Sequence, residues 1–240
     1  EESGSLNITG LDIFKGDYHK QTFVAIVTMS QKKLVMKYRF NIGERILNIF
    51  KEFYSQENIV LPVVSTKILT DGLAIQEFVE VNEFFSQTEI EEFYYKFGLM
   101  TGVFTVLGTK DLHNENLIAT KNGPYFIDME VAITPQKTPK TYSLFKDTLL
   151  FNCSEKRMVY GDIDLSAFSG KAVPVLGPSI LKKGTDDIHV GLTKKTPKLS
   201  NCPKNKEGKE VVAEKYIPIV VKGYERAIQV YCKHKEMIIE

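Results

Sequence analysis

Residues 86–108 constrain this chain more than any other stretch. Ser86 and Glu89 stand at the S-x-x-E spacing of a capping box, in which each side chain reaches the other residue's backbone N–H. Behind them Ile90, Phe93, Tyr94, Phe97 and Met100 recur at helical spacing, the pattern continues through Val103 and Phe104, and Gly108 supplies a natural stop. A long helix is therefore predicted, and it delivers the chain into a polar segment, 109–116. Two short apolar runs follow, Leu117–Ala119 and Tyr125–Ile127, on either side of Asn122-Gly123, the dipeptide of a tight hairpin turn.

Upstream, 22–30 and 33–40 are rich in β-branched and apolar residues and flank a polar turn near Ser30–Lys32, the pattern of an antiparallel hairpin. In 44–54, Ile46, Ile49, Phe50 and Phe53 fall at helical spacing. Two more strands are predicted near 60–68 and 73–80, joined at Asp71-Gly72. Downstream, 182–209 is rich in lysine and carries prolines and glycines, so it reads as a mobile surface loop. Val220, Tyr224, Ile228 and Tyr231 place a helix within 211–239. No internal repeat is visible. The succession predicts an α+β, two-lobed, kinase-like fold. Its strand-rich N-terminal lobe would span 1–85, with a hinge near 79–86, and its mostly helical C-terminal lobe would span 86–240 and carry the catalytic loop and metal site. Nucleotide clefts often form between two such lobes.

The net charge of +1 provides no global field toward nucleic acid or an anionic membrane, and no nucleic-acid partner is expected. No apolar run reaches the length of a membrane span. The N-terminus is acidic and polar, unlike a secretory signal. Cys153, Cys202 and Cys232 are far apart and odd in number, which argues against a disulfide framework and a Cys-rich zinc site. A cytoplasmic protein is the default expectation.

Phosphoryl transfer asks for a cation on the phosphates, metal ions that bridge them, and a carboxylate that orients the attacking hydroxyl. In protein kinases a catalytic-loop Asp precedes an Asn by five residues, and a hairpin then leads to a metal-binding Asp. Asp111 and Asn116 keep that step here, and Asp128 follows the second apolar run of the hairpin. His113, in the order D-x-H-x-x-N, is nearer to lipid-kinase-like enzymes than to the H-R-D order. Lys37 lies in the second strand of the first hairpin, where a phosphate-binding lysine belongs. No G-x-G-x-x-G loop is present. Singly, these residues have plainer readings: a polar loop, a turn aspartate and a strand-surface lysine. Their order on the expected elements is what points to a kinase-like site. Asp17 and His19, in Gly16-Asp17-Tyr18-His19, read either as a turn capped by Asp or as a carboxylate–imidazole pair able to move protons. His189 and His234 have no visible partners and are read as surface residues.

Taken together, 16–19, 34–39, 76–79, 94–98, 109–119 and 124–130 resemble the dehydratase domain of class II lanthipeptide synthetases. Asp164-Leu165-Ser166-Ala167 and Tyr216–Tyr231 extend the likeness over most of the chain. The resemblance implies a lipid-kinase-like core that uses ATP and Mg2+ to phosphorylate Ser or Thr of a leader-bearing ribosomal precursor peptide. The same site would then eliminate the phosphate to leave dehydroamino acids. By position, Lys37 and Arg39 would contact ATP, and Asp111, His113 and Asn116 would serve phosphoryl transfer. Asn116, Asp128 and Glu130 would hold metal, while Asp17 and His19 would act in elimination.

The sequence also departs from that family. Its Lys-Pro-Arg reads Lys37-Tyr38-Arg39, and the small glycine soon after Asp17-Tyr18-His19 is replaced within Gln21-Thr22-Phe23. The C-terminal Arg-x-Thr element that serves elimination and the zinc ligands of the cyclase do not occur in the chain. Three arrangements stay open: a stand-alone enzyme, one piece of a split dehydratase completed by a separate subunit, or a fragment. The competing reading is a non-catalytic module that docks a peptide or partner subunit.

Overall fold

The computed structural model describes residues 7–13, 23–30, 32–39, 42–70, 72–133, 148–152, 164–172, 174–196 and 199–239. Strands β1 (Ile8–Ile13), β2 (Phe23–Met29), β3 (Lys32–Tyr38), β4 (Thr66–Thr70) and β5 (Leu73–Glu77) form one antiparallel sheet in the order β1-β2-β3-β5-β4. The expected first hairpin is β2–β3, with Val24 opposite Lys37. Strand β1 has no counterpart in the sequence reading. Five of its six side chains are exposed, so burial imposes no alternation that could reveal it. The apolar run before β4 lies outside the strands, with Val63 N–H closing a tight turn on the Leu61 carbonyl, and Leu61, Val63 and Val64 are buried there.

Helix α1 (Ile42–Ser55) follows β3. It buries Gly43, Glu44, Leu47, Phe50 and Tyr54, whereas Ile49 is exposed. The buried stripe is thus rotated from the one that the isoleucines and phenylalanines predict, because it includes a glycine and a glutamate. Helix α2 (Gln87–Leu107) carries the capping box in full: Ser86 Oγ accepts from Glu89 N–H, and Glu89 Oε2 accepts from Ser86 N–H. Gly108 ends it in the left-handed region, at φ 67°, where glycine lacks the Cβ penalty.

Helix α3 (Ile217–Ile239) lies along α2 and buries Val220, Gly223, Ala227, Val230 and His234 at alternating steps of three and four. The two backbones approach closely. A Cβ added to Gly98 would lie 2.0 Å from the Val220 carbonyl oxygen, and one added to Gly223 would lie 2.0 Å from that of Tyr95. Two more hairpins complete the described elements: β6 (Leu117–Thr120) with β7 (Gly123–Phe126), and β8 (Val175–Leu181) with β9 (His189–Lys195). The second corrects the surface-loop expectation for 182–209. The lysine content is real, yet His189 to Lys195 pair in register with β8. His234 is likewise not a surface residue. It is 8% exposed, and its Nε2 lies 3.0 Å from Glu57 Oε1.

The fold is therefore α+β, with the strand-rich sheet first and the helical part after it, the order expected of a kinase-like chain. Among the described residues, no helix is long and apolar enough to cross a membrane.

Glu57 also receives Lys233 and Arg226, so it clamps the end of α1 to α3. Hydrogen bonds from Lys233 and His234 hold its carboxyl down at about 2. A carboxyl lowered in the folded state stabilises above its unfolded value, and that contribution fades as pH falls toward the folded one. Glu57→Gln should therefore flatten the fall of unfolding free energy between the ordinary glutamate value of 4.5 and about 2, read by urea titration across pH. Gly98→Ala should force α2 and α3 apart and cost about 1–3 kcal/mol, read as a lower Tm by circular dichroism.

Candidate functional site

Alternation along the sheet decides which side chains meet the second lobe. Val35, Lys37 and Arg39 share one face, and the cross-strand partners Val24, Ile26 and Gln76 stand on it as well. Ala74, opposite Lys37, is fully buried. From below, the segment after α2 closes on this face.

The turn that carries Asp111 is pinned on several sides. Leu112 is fully buried and donates its N–H to the Thr148 carbonyl at 2.8 Å. Asn114 N–H reaches the Leu165 carbonyl at 3.0 Å, and His113 bridges Ser166. Segment 164–170 is itself fixed by Asp164, whose carboxylate accepts from Ser166 N–H and Ser169 Oγ. Asp111 sits at φ 64°, a conformation that aspartate tolerates better than most side chains but that still stores strain. Asn116 Nδ2 donates to the Asp111 carbonyl at 2.9 Å and lies 3.1 Å from His113 Nε2. Hairpin β6–β7 then returns the chain so that Ile127 N–H reaches the Asn116 carbonyl, which brings Asp128 beside the turn.

The two lobes meet through a buried cluster of charges. Lys37 Nζ donates to the Ile127 carbonyl at 2.5 Å and lies 3.4 Å from Glu44 Oε1. Arg39 reaches Glu44 at 3.0 Å, Asp128 at 2.7 Å and Glu130 at 2.5 Å. Lys37, Arg39 and Glu44 are each less than a tenth exposed. Burial, with the neighbouring Arg39, pulls the Lys37 ammonium below its ordinary value, against Glu44 and Asp128. Burial alone would raise the Asp128 carboxyl, but the Arg39 guanidinium outweighs it and holds the carboxyl below the usual aspartate value.

Glu44 is the residue that sequence reasoning missed. It stands in the first turn of α1, seven positions after Lys37, and it is buried. The available signal was a carboxylate in the first turn of the helix that follows the lysine strand. Gly43 lets it come so close: a Cβ there would lie 2.3 Å from the Met129 carbonyl oxygen.

A cavity of about 540 Å³ lies between the sheet and this turn, within the range of small-ligand sites. Lys37, Arg39, Asp111, His113, Asn116, Asp128 and Glu130 all line it, with Val24, Ile26 and Phe78 toward the sheet. The structure thus brings Lys37, Arg39, Asp111, His113, Asn116, Asp128 and Glu130, the described residues expected at the site, to one cavity. Asp17 and His19 lie outside the described residues.

Mg2+ prefers hard oxygen ligands and is commonly held by one or two carboxylates plus substrate phosphates. Asp128 and Glu130, with the Asn116 amide oxygen, make a donor set of that kind, and both carboxylates are over 40% exposed. Among the described residues, no three His, Cys, Asp or Glu gather into a site that could hold a metal alone. Asp128 and Glu130 are thus the described carboxylates that could offer oxygen ligands to an ion in the cavity.

The family model described as Domain of unknown function (DUF4135) matches residues 1–240. The Lacticin 481/lactococcin biosynthesis protein LcnDR2 of Lactococcus lactis subsp. lactis is 24% identical over 259 residues, covering 94% of this chain and 27% of that protein. The chain thus spans about a quarter of that relative's length. Among solved structures, spectinomycin phosphotransferase APH(9)-Ia, in complex with ADP and spectinomycin, is similar at a TM-score of 0.29 and 12% identity, over 41% of this chain and 33% of that one. A putative aminoglycoside phosphotransferase from Ralstonia eutropha JMP134 gives 0.27 and 15%, over 43% and 34% of the two chains.

Removing one partner of a buried ion cluster leaves uncompensated charge and costs about 3–5 kcal/mol. Glu44→Gln should lower the unfolding free energy by about that amount, measured by urea titration.

Proposed function

The chain belongs to the DUF4135 family, and from that premise we propose that it is the phosphoryl-transfer core of a lanthipeptide-type dehydratase. The observation that carries the reading is the convergence of Lys37, Arg39, Asp111, Asn116, Asp128 and Glu130 on one cavity between the two lobes. The likeness to a protein named for lacticin 481/lactococcin biosynthesis supports a peptide as the acceptor.

In this reading ATP is the phosphoryl donor, and Ser or Thr of a leader-bearing precursor peptide is the acceptor. Lys37 and Arg39 supply positive charge to the phosphates. Asp111 accepts the proton of the attacking hydroxyl, with its carboxylate held at the cavity wall by the strained turn. His113 and Asn116 fix the shape of that turn, and Asn116 also faces the phosphates. Asn116, Asp128 and Glu130 are the residues that would hold Mg2+, which neutralises charge that develops on the transferred phosphoryl group. Glu44 holds the Lys37 ammonium in place, as a helix glutamate does for the strand lysine of protein kinases. The lobe boundary falls between β5 and α2, near residue 85. Elimination of the phosphate to a dehydroamino acid is assigned to Asp17 and His19, by family position alone.

Incubation with ATP, Mg2+ and a cognate precursor peptide should add the mass of one phosphate per modified site, read by mass spectrometry. Loss of one water per site instead would reveal elimination as well. Asp128→Asn should abolish transfer, and Asp111→Asn should slow it by about two to four orders of magnitude. A peptide whose mass never changes in the presence of the wild-type protein would overturn the reading.

A further inference from the structure

The guanidinium of Arg39 occupies an unusual place for a phosphate-binding group. Its Nη1 lies 2.7 Å from Asp128 Oδ1 and 2.5 Å from Glu130 Oε1, so one nitrogen bridges both carboxylates. Two carboxylates this close repel unless a cation lies between them. The other end of the same guanidinium, Nη2, lies 3.0 Å from Glu44, which is 4% exposed. Arg39 is thus tied to a buried carboxylate on one side and to two cavity-lining carboxylates on the other.

We propose that Arg39 is the resident cation of this site: it bridges Asp128 Oδ1 and Glu130 Oε1 when no divalent ion is present, and an ion held by those same oxygens would have to displace it. The proposal rests on the reading of these carboxylates as metal ligands. A divalent ion and a guanidinium nitrogen cannot both lie between the same two oxygens. Glu44 gives the displaced arginine a counter-charge, so the exchange never leaves Arg39 alone in the buried cluster. The consequence is order of entry. A bare divalent ion must compete with Arg39, whereas an ion that arrives with nucleotide phosphates brings acceptors of its own for the guanidinium. Arg39 therefore biases the site against metal without nucleotide.

The test is Mn2+ uptake by the full chain, measured by electron paramagnetic resonance at fixed ionic strength, first without nucleotide and then with ATP. Without nucleotide, Arg39→Gln should bind Mn2+ about tenfold more tightly than wild type, the equivalent of losing two partly exposed ion pairs. Arg39→Lys keeps the charge in the cluster but offers a single nitrogen, which cannot hold Glu44 and both cavity carboxylates at once, so it should shift affinity in the same direction by less. It guards against misfolding of the glutamine variant. With ATP present, the advantage of both variants should shrink or reverse. Equal or weaker Mn2+ binding by both variants without nucleotide would overturn the resident-cation role while leaving the metal reading intact. Absence of Mn2+ uptake by wild type even with ATP would instead overturn the metal site itself.

Discussion

The buried carboxylate of Glu44 is the constraint on which the two-lobed arrangement turns. It lies within ion-pair distance of both Lys37 and Arg39. Without it, Lys37 of β3 and Arg39 just after that strand would be two buried positive charges with no buried anion against them, at a cost of about 3–5 kcal/mol. The cluster spans three elements that are distant in sequence: strand β3, the first turn of α1, and the segment that follows hairpin β6–β7. Each supplies a charge that the other two need. A buried ion pair is a poor source of net stability, but a mispaired one is costly, so such a cluster selects one relative placement of its elements.

That placement needs a rigid floor. Helices α2 and α3 supply it through backbone contact at Gly98 and Gly223, closer than ordinary side chains would allow. Aromatic rings fill the space around them: Phe97 packs against Phe126 of β7, and Phe104 meets the same ring edge-on at 4.8 Å. The helix that ends at Gly108 thus also positions the hairpin that carries Asp128. The turn between them is held by Leu112, Asn114 and the backing segment fixed by Asp164, the surroundings that a strained residue such as Asp111 needs to persist. In the proposed reaction such rigidity matters, because phosphoryl transfer relies on positioning and electrostatics more than on covalent chemistry by the protein.

How legible all this was depends on where the physical signal lies. The capping box of α2, its aromatic stripe and its glycine stop are local, and they appear in the structure residue for residue. The β2–β3 and β6–β7 hairpins were equally local, announced by turn residues and apolar runs. Strand β1 and the β8–β9 hairpin were not: β1 is exposed at five of six positions, and in β8–β9 the apolar Ile180, Val190 and Leu192 are exposed while Ser179, Gly191 and Thr193 are half-buried, so hydropathy runs against burial. His234 and Ile49 failed in opposite senses. A histidine was read as surface because its partner, Glu57, is far away in sequence, and an isoleucine was read as core because apolar residues usually are.

By itself, the sequence determined α2, the β2–β3 and β6–β7 hairpins, their order and the site residues other than Glu44, because caps, turns and periodicity act over a few residues. The short step from Asp111 to Asn116 and the turn that follows fix which groups share a loop before any folding is considered. Only the tertiary structure decided that Lys37, Arg39, Asp128 and Glu130 face one cavity. It alone decided that Arg39, rather than solvent, meets the two carboxylates, and that Glu44 joins them. Pairing of charges depends on distance in space and on exclusion of water. Neither is written in sequence spacing, and both arise only when the sheet closes on the helical lobe.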